Sequence, residues 1–157
     1  MRTMTRYPLL FGFKDLVAGN GYVAGVSISN GRALLVEEED GFWMYGVNPG
    51  GLAAGGKSIG DAQSEFRTAY KSVLFDIAAE AQGFETFRAE VERFFRETNN
   101  PTLLEWDEAV IEVRQGHTDA DWLSKKSAES TTEMEVVQLE HPMASVNALD
   151  DEAKIAA

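Results

Sequence analysis

The chain has no cysteine among its 157 residues. That absence excludes disulfide staples, thiolate metal sites, iron–sulfur clusters and a cysteine nucleophile. Histidine occurs twice, so imidazole chemistry has little to draw on. Basic residues are scarce as well: 14 Lys and Arg stand against 26 Asp and Glu, for a net charge of −12. Such a surface repels phosphate backbones and attracts cations, so direct nucleic-acid binding is not expected and a basic partner is. No run approaches the roughly 18 apolar residues of a membrane span. Met1–Arg6 is basic and Leu9–Phe13 apolar, but Lys14 and Asp15 follow at once, which is too short a pattern for a signal peptide. No membrane association is expected, and the expected location is cytoplasmic.

What remains is the composition of a folded domain. Hydrophobic residues make up 44% and aromatics 10%, and the length suits about one domain. Tyr22–Ile28 is β-rich, Asn30-Gly31 carries the signal of a type I′ hairpin turn, and Arg32–Glu37 runs out again as a strand. Asp40-Gly41 makes a second turn before a third strand, Phe42–Val47, in which Trp43, Tyr45 and Val47 share one face. An earlier strand within Pro8–Val17 would turn at Gly19-Asn20-Gly21. Four glycines between Asn48 and Lys57 predict a loop.

The period then changes. Ile59, Ala62, Phe66, Ala69, Tyr70, Val73, Leu74, Ile77, Ala78 and Ala81 recur at three and four, predicting one long helix with Ser58 as N-cap and Gly83 beyond its end. Phe84, Phe87, Val91, Phe94 and Phe95 predict a second helix, stopped by Asn99-Asn100-Pro101. This stripe is core or, if the first helix already satisfies the core, a dimer face. A third helix is expected to open at Thr102, with Glu105 completing a capping box, and to end at Gly116. Glu133–Glu140 alternates as a late strand. The expected fold class is α+β: an antiparallel sheet of three or four strands packed by a long helix, with additional helices. Residues 1–116 form the expected single domain, 117–142 an extension holding the late strand, and 143–157 a flexible acidic tail.

One motif points to nucleotides. Gly51-Leu52-Ala53-Ala54-Gly55-Gly56-Lys57-Ser58 satisfies the phosphate-loop pattern, in which Gly51, Gly56, Lys57 and Ser58 would cradle phosphates and magnesium. That reading requires the strand before Gly51 to be parallel to its neighbours, whereas the surrounding pattern is one of antiparallel hairpins. No cofactor is therefore expected, and nucleotide binding stands as the alternative. The run Glu37-Glu38-Glu39-Asp40 is the densest acidic stretch and falls at a hairpin tip. It is either a solvated turn that protects a sheet edge or a contact for a basic partner. Trp43 and Tyr45 on one strand face form either a core layer or a stacking platform. His117, Asp119 and Asp121 alternate as metal ligands would, without a fourth ligand nearby. His141 precedes Pro142 without a visible partner.

A resemblance gathers several of these segments. The turn Asp40-Gly41-Phe42-Trp43, the connection Val47-Asn48-Pro49-Gly50-Gly51 and the segment Gly56-Lys57-Ser58-Ile59-Gly60-Asp61-Ala62 lie where the HicB-type antitoxin domain has its Gly-aromatic turn, Pro–Gly connection and signature. Residues 32–74 thus resemble that family, with Lys57 and Gly60 standing where it has acids. The resemblance implies a partial ribonuclease-H-like fold without nuclease chemistry, no enzyme activity, and masking of a small basic mRNA-cleaving toxin. Glu37, Glu38, Glu39, Asp40, Trp43 and Tyr45 are the expected partner-binding residues, and a homodimer is expected. Residues 116–157 lack the helix-turn-helix with which many family members repress their own operon. An acidic accessory protein of a phage or mobile element would have the same composition.

Overall fold

Two long strands, β1 (Arg6–Ala18) and β2 (Val23–Glu38), pair antiparallel through a tight turn in which the Gly19 N–H donates to the Tyr22 carbonyl. The computed structural model describes residues 5–139 and 151–157. Strands β3 (Gly41–Asn48) and β4 (Ala53–Gly56) follow, then helices α1 (Ile59–Glu80), α2 (Phe84–Arg96) and α3 (Asn100–Arg114). Short β5 (Lys125–Lys126), β6 (Glu133–Gln138) and β7 (Glu152–Ala156) complete the order. The fold is α+β, as its sequence predicts, but among the described residues its sheet has seven strands rather than three or four. The order is β4-β3-β2-β1-β7-β5, with β6 paired to β2, and the β5–β7 contact is parallel, so the sheet is mixed.

The expected hairpin turn at Asn30-Gly31 does not exist, because β2 runs straight through it. Phe11 pairs with Gly31 and Phe13 with Ile28, so Ser29 and Asn30 together oppose Gly12 in a β-bulge. Asn30 has the positive φ, 57°, that its sequence signalled, used here for a bulge instead of a turn. The extra residue shifts the phase of the strand. Ala24, Val26 and Ile28 face the core of α1 and α2, but beyond the bulge that role passes to Ala33 and Leu35. Leu34 and Val36 turn to the opposite face and pack against α3 with Leu10, Val47, Trp106, Ala109 and Val110. Helices therefore cover both faces.

On the larger face α1 buries Ala62, Phe66, Tyr70, Leu74 and Ala78, as its period requires. The Ser58 hydroxyl caps it by accepting from the Asp61 N–H at 3.1 Å. Gly83 serves as the N-cap of α2 rather than ending α1, whose C-cap is Ala81. The Phe87–Phe95 stripe belongs to the core, where Tyr70 and Phe95 stack with centroids 5.9 Å apart. Helix α3 is capped by Asn99, whose side chain accepts from the Thr102 N–H, so it opens earlier than the predicted Thr102. Asp15 on β1, 5% exposed, receives two parallel hydrogen bonds from Arg67 on α1 at 2.9 and 3.0 Å, tying helix to sheet.

The described strands after α3 are part of the sheet. β6 pairs with the first half of β2, and its Val136 joins the core. β7 lies between β1 and β5 with Ile155 and Ala156 fully buried, so residues 152–156 are a strand of the sheet and not a tail. Residues 140–150, including His141 and most of the expected tail, lie outside the described residues. No helix of the described residues is long and apolar enough to cross a membrane.

Two substitutions test this packing. A Cβ at Gly31 would sit 2.5 Å from the ring of Phe11, which is 2% exposed and hemmed in by Phe13 and Phe66. Gly31→Ala should lower stability by about 1–3 kcal/mol in urea denaturation. The Tyr70 hydroxyl is buried and has no hydrogen-bond partner among the described residues. Tyr70→Phe should be neutral or stabilise by up to about 1 kcal/mol, and a clear loss would mean that the hydroxyl has a partner.

Candidate functional site

The acidic run and the glycine-rich motif, separated in sequence, meet at one corner of the sheet. Glu38 pairs with Gly41, leaving Glu39 and Asp40 as the exposed two-residue tip of the β2–β3 hairpin. β4 folds back along β3, pairing Phe42 with Gly56 and Trp43 with Gly55, and this brings Lys57 to the tip. Gly41 adopts φ 154°, and a Cβ there would lie 2.5 Å from the Gly56 carbonyl oxygen. Only glycine allows the two segments to approach this closely. The result is an open cleft of about 500 Å³ lined by Glu38, Glu39, Asp40, Trp43 and Lys57 with the backbone of Gly55 and Gly56.

Trp43 and Tyr45 do share a strand face. Their rings stack with centroids 6.2 Å apart and planes inclined by 22°. Trp43 is 42% exposed and lies over Gly55, where a Cβ would meet its ring at 2.6 Å. Tyr45 sits deeper, against the α3 side of the sheet, and its hydroxyl donates to the Glu38 carboxylate at 2.9 Å. Burial, then that hydrogen bond and the charges of Glu38 and Glu105, push the Tyr45 phenol up to about 12. Glu37 lies on the other face of β2, opposite Phe42, and so points away from the stacked pair. Five of the six expected partner-binding residues thus form one rim, and Glu37 stands behind it.

The same geometry tells against the nucleotide alternative. β3 is antiparallel to both β2 and β4, so the strand before Gly51 lacks the parallel setting that a phosphate loop needs. Residues 53–56 are drawn out as a strand rather than curled into a cradle. The Ser58 hydroxyl is engaged in capping α1, and Lys57 is flanked by Glu38, Glu39 and Asp40, whose charges oppose a phosphate. Gly51, Gly56, Lys57 and Ser58 are not brought together as a phosphate site.

The remaining acids have separate roles. On α3, Glu108 and Glu112 both pair with Arg6, at 3.2 and 2.5 Å, while Glu105 and Asp107 face solvent. His117, Asp119 and Asp121 lie on an exposed loop in which Asp119 accepts from the Asp121 N–H. Among the described residues, no three His, Asp or Glu side chains converge as a metal site would require.

Sequence reasoning missed a second polar region. Arg32, Asn48 and Thr98 are far apart in the chain but hydrogen-bonded in series, with Asn48 accepting from Arg32 and donating to Thr98 at 2.6 Å. An Arg in a strand opposite an Asn was the only available signal, and it is readable only once the β2–β3 register is known.

The Tyr45 phenol gives the rim a titration signature. An unfolded tyrosine ionises near 10 and Tyr45 near 12, so the folded state holds more protons between these values. The associated stabilisation is complete below about pH 10 and is lost as pH rises through 12. In a wild-type minus Tyr45→Phe ultraviolet difference titration, the Tyr45 step should appear near 12; a step near 10 would break the Tyr45–Glu38 assignment. No family model, curated protein or solved structure matches the chain.

Proposed function

We propose that this chain is a non-catalytic binding protein of the HicB-like antitoxin kind, masking a small basic partner of the mRNA-cleaving toxin class. One observation carries the reading: an exposed acidic hairpin tip is set directly beside a half-exposed Trp43 stacked on Tyr45 at a corner of the sheet. Aromatic anchors ringed by charge are the composition of a protein-binding hot spot. The net charge of −12 adds long-range attraction that speeds encounter with a cation-rich surface. Glu39 and Asp40 would steer and Trp43 would supply the desolvated contact. Tyr45, held by Glu38, would keep the Trp43 ring in place. Masking by contact and charge needs no bond-making residue.

The homodimer belongs to the same proposal. Among the described residues β6 pairs only with β2, so the other edge of Glu133–Gln138 is available to a second copy.

The test is affinity purification of the tagged protein from its host, with salt titrated in the wash. One small, strongly basic protein should be recovered in stoichiometric amount and released as salt rises. Recombinant partner should then bind a Glu39→Lys, Asp40→Lys double variant with an association rate about tenfold lower or less, and Trp43→Ala should mainly raise the dissociation rate. Recovery of no basic protein, or equal binding by both variants, would sink the proposal.

A further inference from the structure

A second open cleft lies away from the acidic corner and carries two arginines, Arg32 and Arg96. It encloses about 660 Å³ between the start of the second half of β2, the end of α2 and the 128–132 segment. The β2 bulge builds it. Asn30 donates to the Thr131 carbonyl at 3.0 Å and accepts from the Thr132 hydroxyl at 2.7 Å, clamping that segment over the strand. Two residues on, Arg32 projects into the cleft, and Arg96 lines it from α2.

Arg32 is partly buried, with its guanidinium 5.6 Å from the Trp106 ring centroid. Its Nε and one Nη donate to the Asn48 side-chain Oδ1, and Asn48 is fixed in turn by Thr98. A guanidinium has five N–H donors in a planar fork, and among the described residues the edge formed by its two Nη atoms meets no acceptor. No described carboxylate stands within ion-pair distance of Arg32. Burial accordingly lowers its pKa, offset in part by the more distant Asp107. Two acids do line the cleft, but both are engaged. Glu129 receives two hydrogen bonds from Arg114 and one from Ser127, and Glu92 faces Arg88 at 3.9 Å. In a chain of net charge −12, a half-buried arginine held by a neutral amide instead of a carboxylate is an unbalanced charge.

We propose that this cleft is a binding site for a small oxyanion, a phosphate or a carboxylate. The free Nη edge of Arg32 would grip it in the two-bond geometry that suits both groups, with Arg96 supplying a second charge and the Ser130 and Thr131 hydroxyls completing its shell. The site is independent of the proposed masking function and lies on other residues.

The test uses the full-length protein in two-dimensional ¹H–¹⁵N NMR. Inorganic phosphate and succinate are titrated separately at ionic strength held constant with chloride. Saturable shifts of the Arg32 Nε–H and of the Thr131 and Thr132 amides, with a Kd on the order of 1 mM, are expected for at least one probe. The probe that saturates identifies the anion class. Arg32→Lys should weaken binding about tenfold or more, because an ammonium cannot make the paired contact. Arg96→Gln should weaken it several-fold and keeps the test valid if the Arg32 variant fails to fold. Arg93→Gln, on the exposed side of α2, should change nothing. The absence of saturable shifts with both probes, or wild-type affinity in the folded Arg32 or Arg96 variant, would overturn the site.

Discussion

Everything in this fold hangs on the phase of one strand. β2 is 16 residues long and supplies pairing edges to β1, β3 and β6, so its side-chain alternation decides what each half of the sheet can bury. A strand with a strict two-residue period would offer the same parity to α1 throughout. The bulge at Ser29 and Asn30 breaks that period once, so β1 keeps Leu9, Phe11, Phe13 and Val17 on one face while β2 changes register beneath them. The second half of β2 thereby gains an apolar face toward α3 as well as one toward α1. Strands buried on both faces read as continuous apolar runs, and Ala33-Leu34-Leu35-Val36 is such a run.

The bulge also stands beside one of two polar regions. Upstream of it β2 pairs with β6, the bulge itself holds Thr131 and Thr132, and Arg32 just beyond it lines the cleft. Downstream, β2 runs on to the acidic tip, where β3 and β4 bring Lys57 and Trp43 alongside. An arginine-bearing cleft and an acidic rim thus sit along the same strand.

The sequence was most legible where a local period met a local cap. Helix α1 declared itself through its stripe and Ser58, and the Trp43–Tyr45 pairing through simple alternation. Asn30-Gly31 misled because positive φ is needed by bulges as well as by turns, and only the partner strand distinguishes them. The glycine-rich segment misled for a similar reason. Gly55 and Gly56 mark close approach to Trp43 and to the residues that open α1, not a loop. In α3 the favourable Asn99 cap was overlooked for the box formed by Thr102 and Glu105. β7 was out of reach altogether: five residues with two buried side chains carry no periodic signal, and the partners that make them a strand lie at the other end of the chain. At the candidate site, residue types and shared face were readable, but the meeting of residues 38–43 with 55–57 was not, because it depends on the β3–β4 ladder.

The position of β7 also sets an order of events during synthesis. Leu9 to Gly12 on β1 find their partners at residues 152–155, so this contact closes a loop of almost the whole chain. Loop-closure entropy makes such pairings slow, and they can form only after the rest of the sheet has been translated. Until then a central strand presents a bare hydrogen-bonding edge, and Ile155 leaves its place in the core unfilled. A nascent chain of this protein is thus open to strand addition along β1 until residues 152–155 have been made.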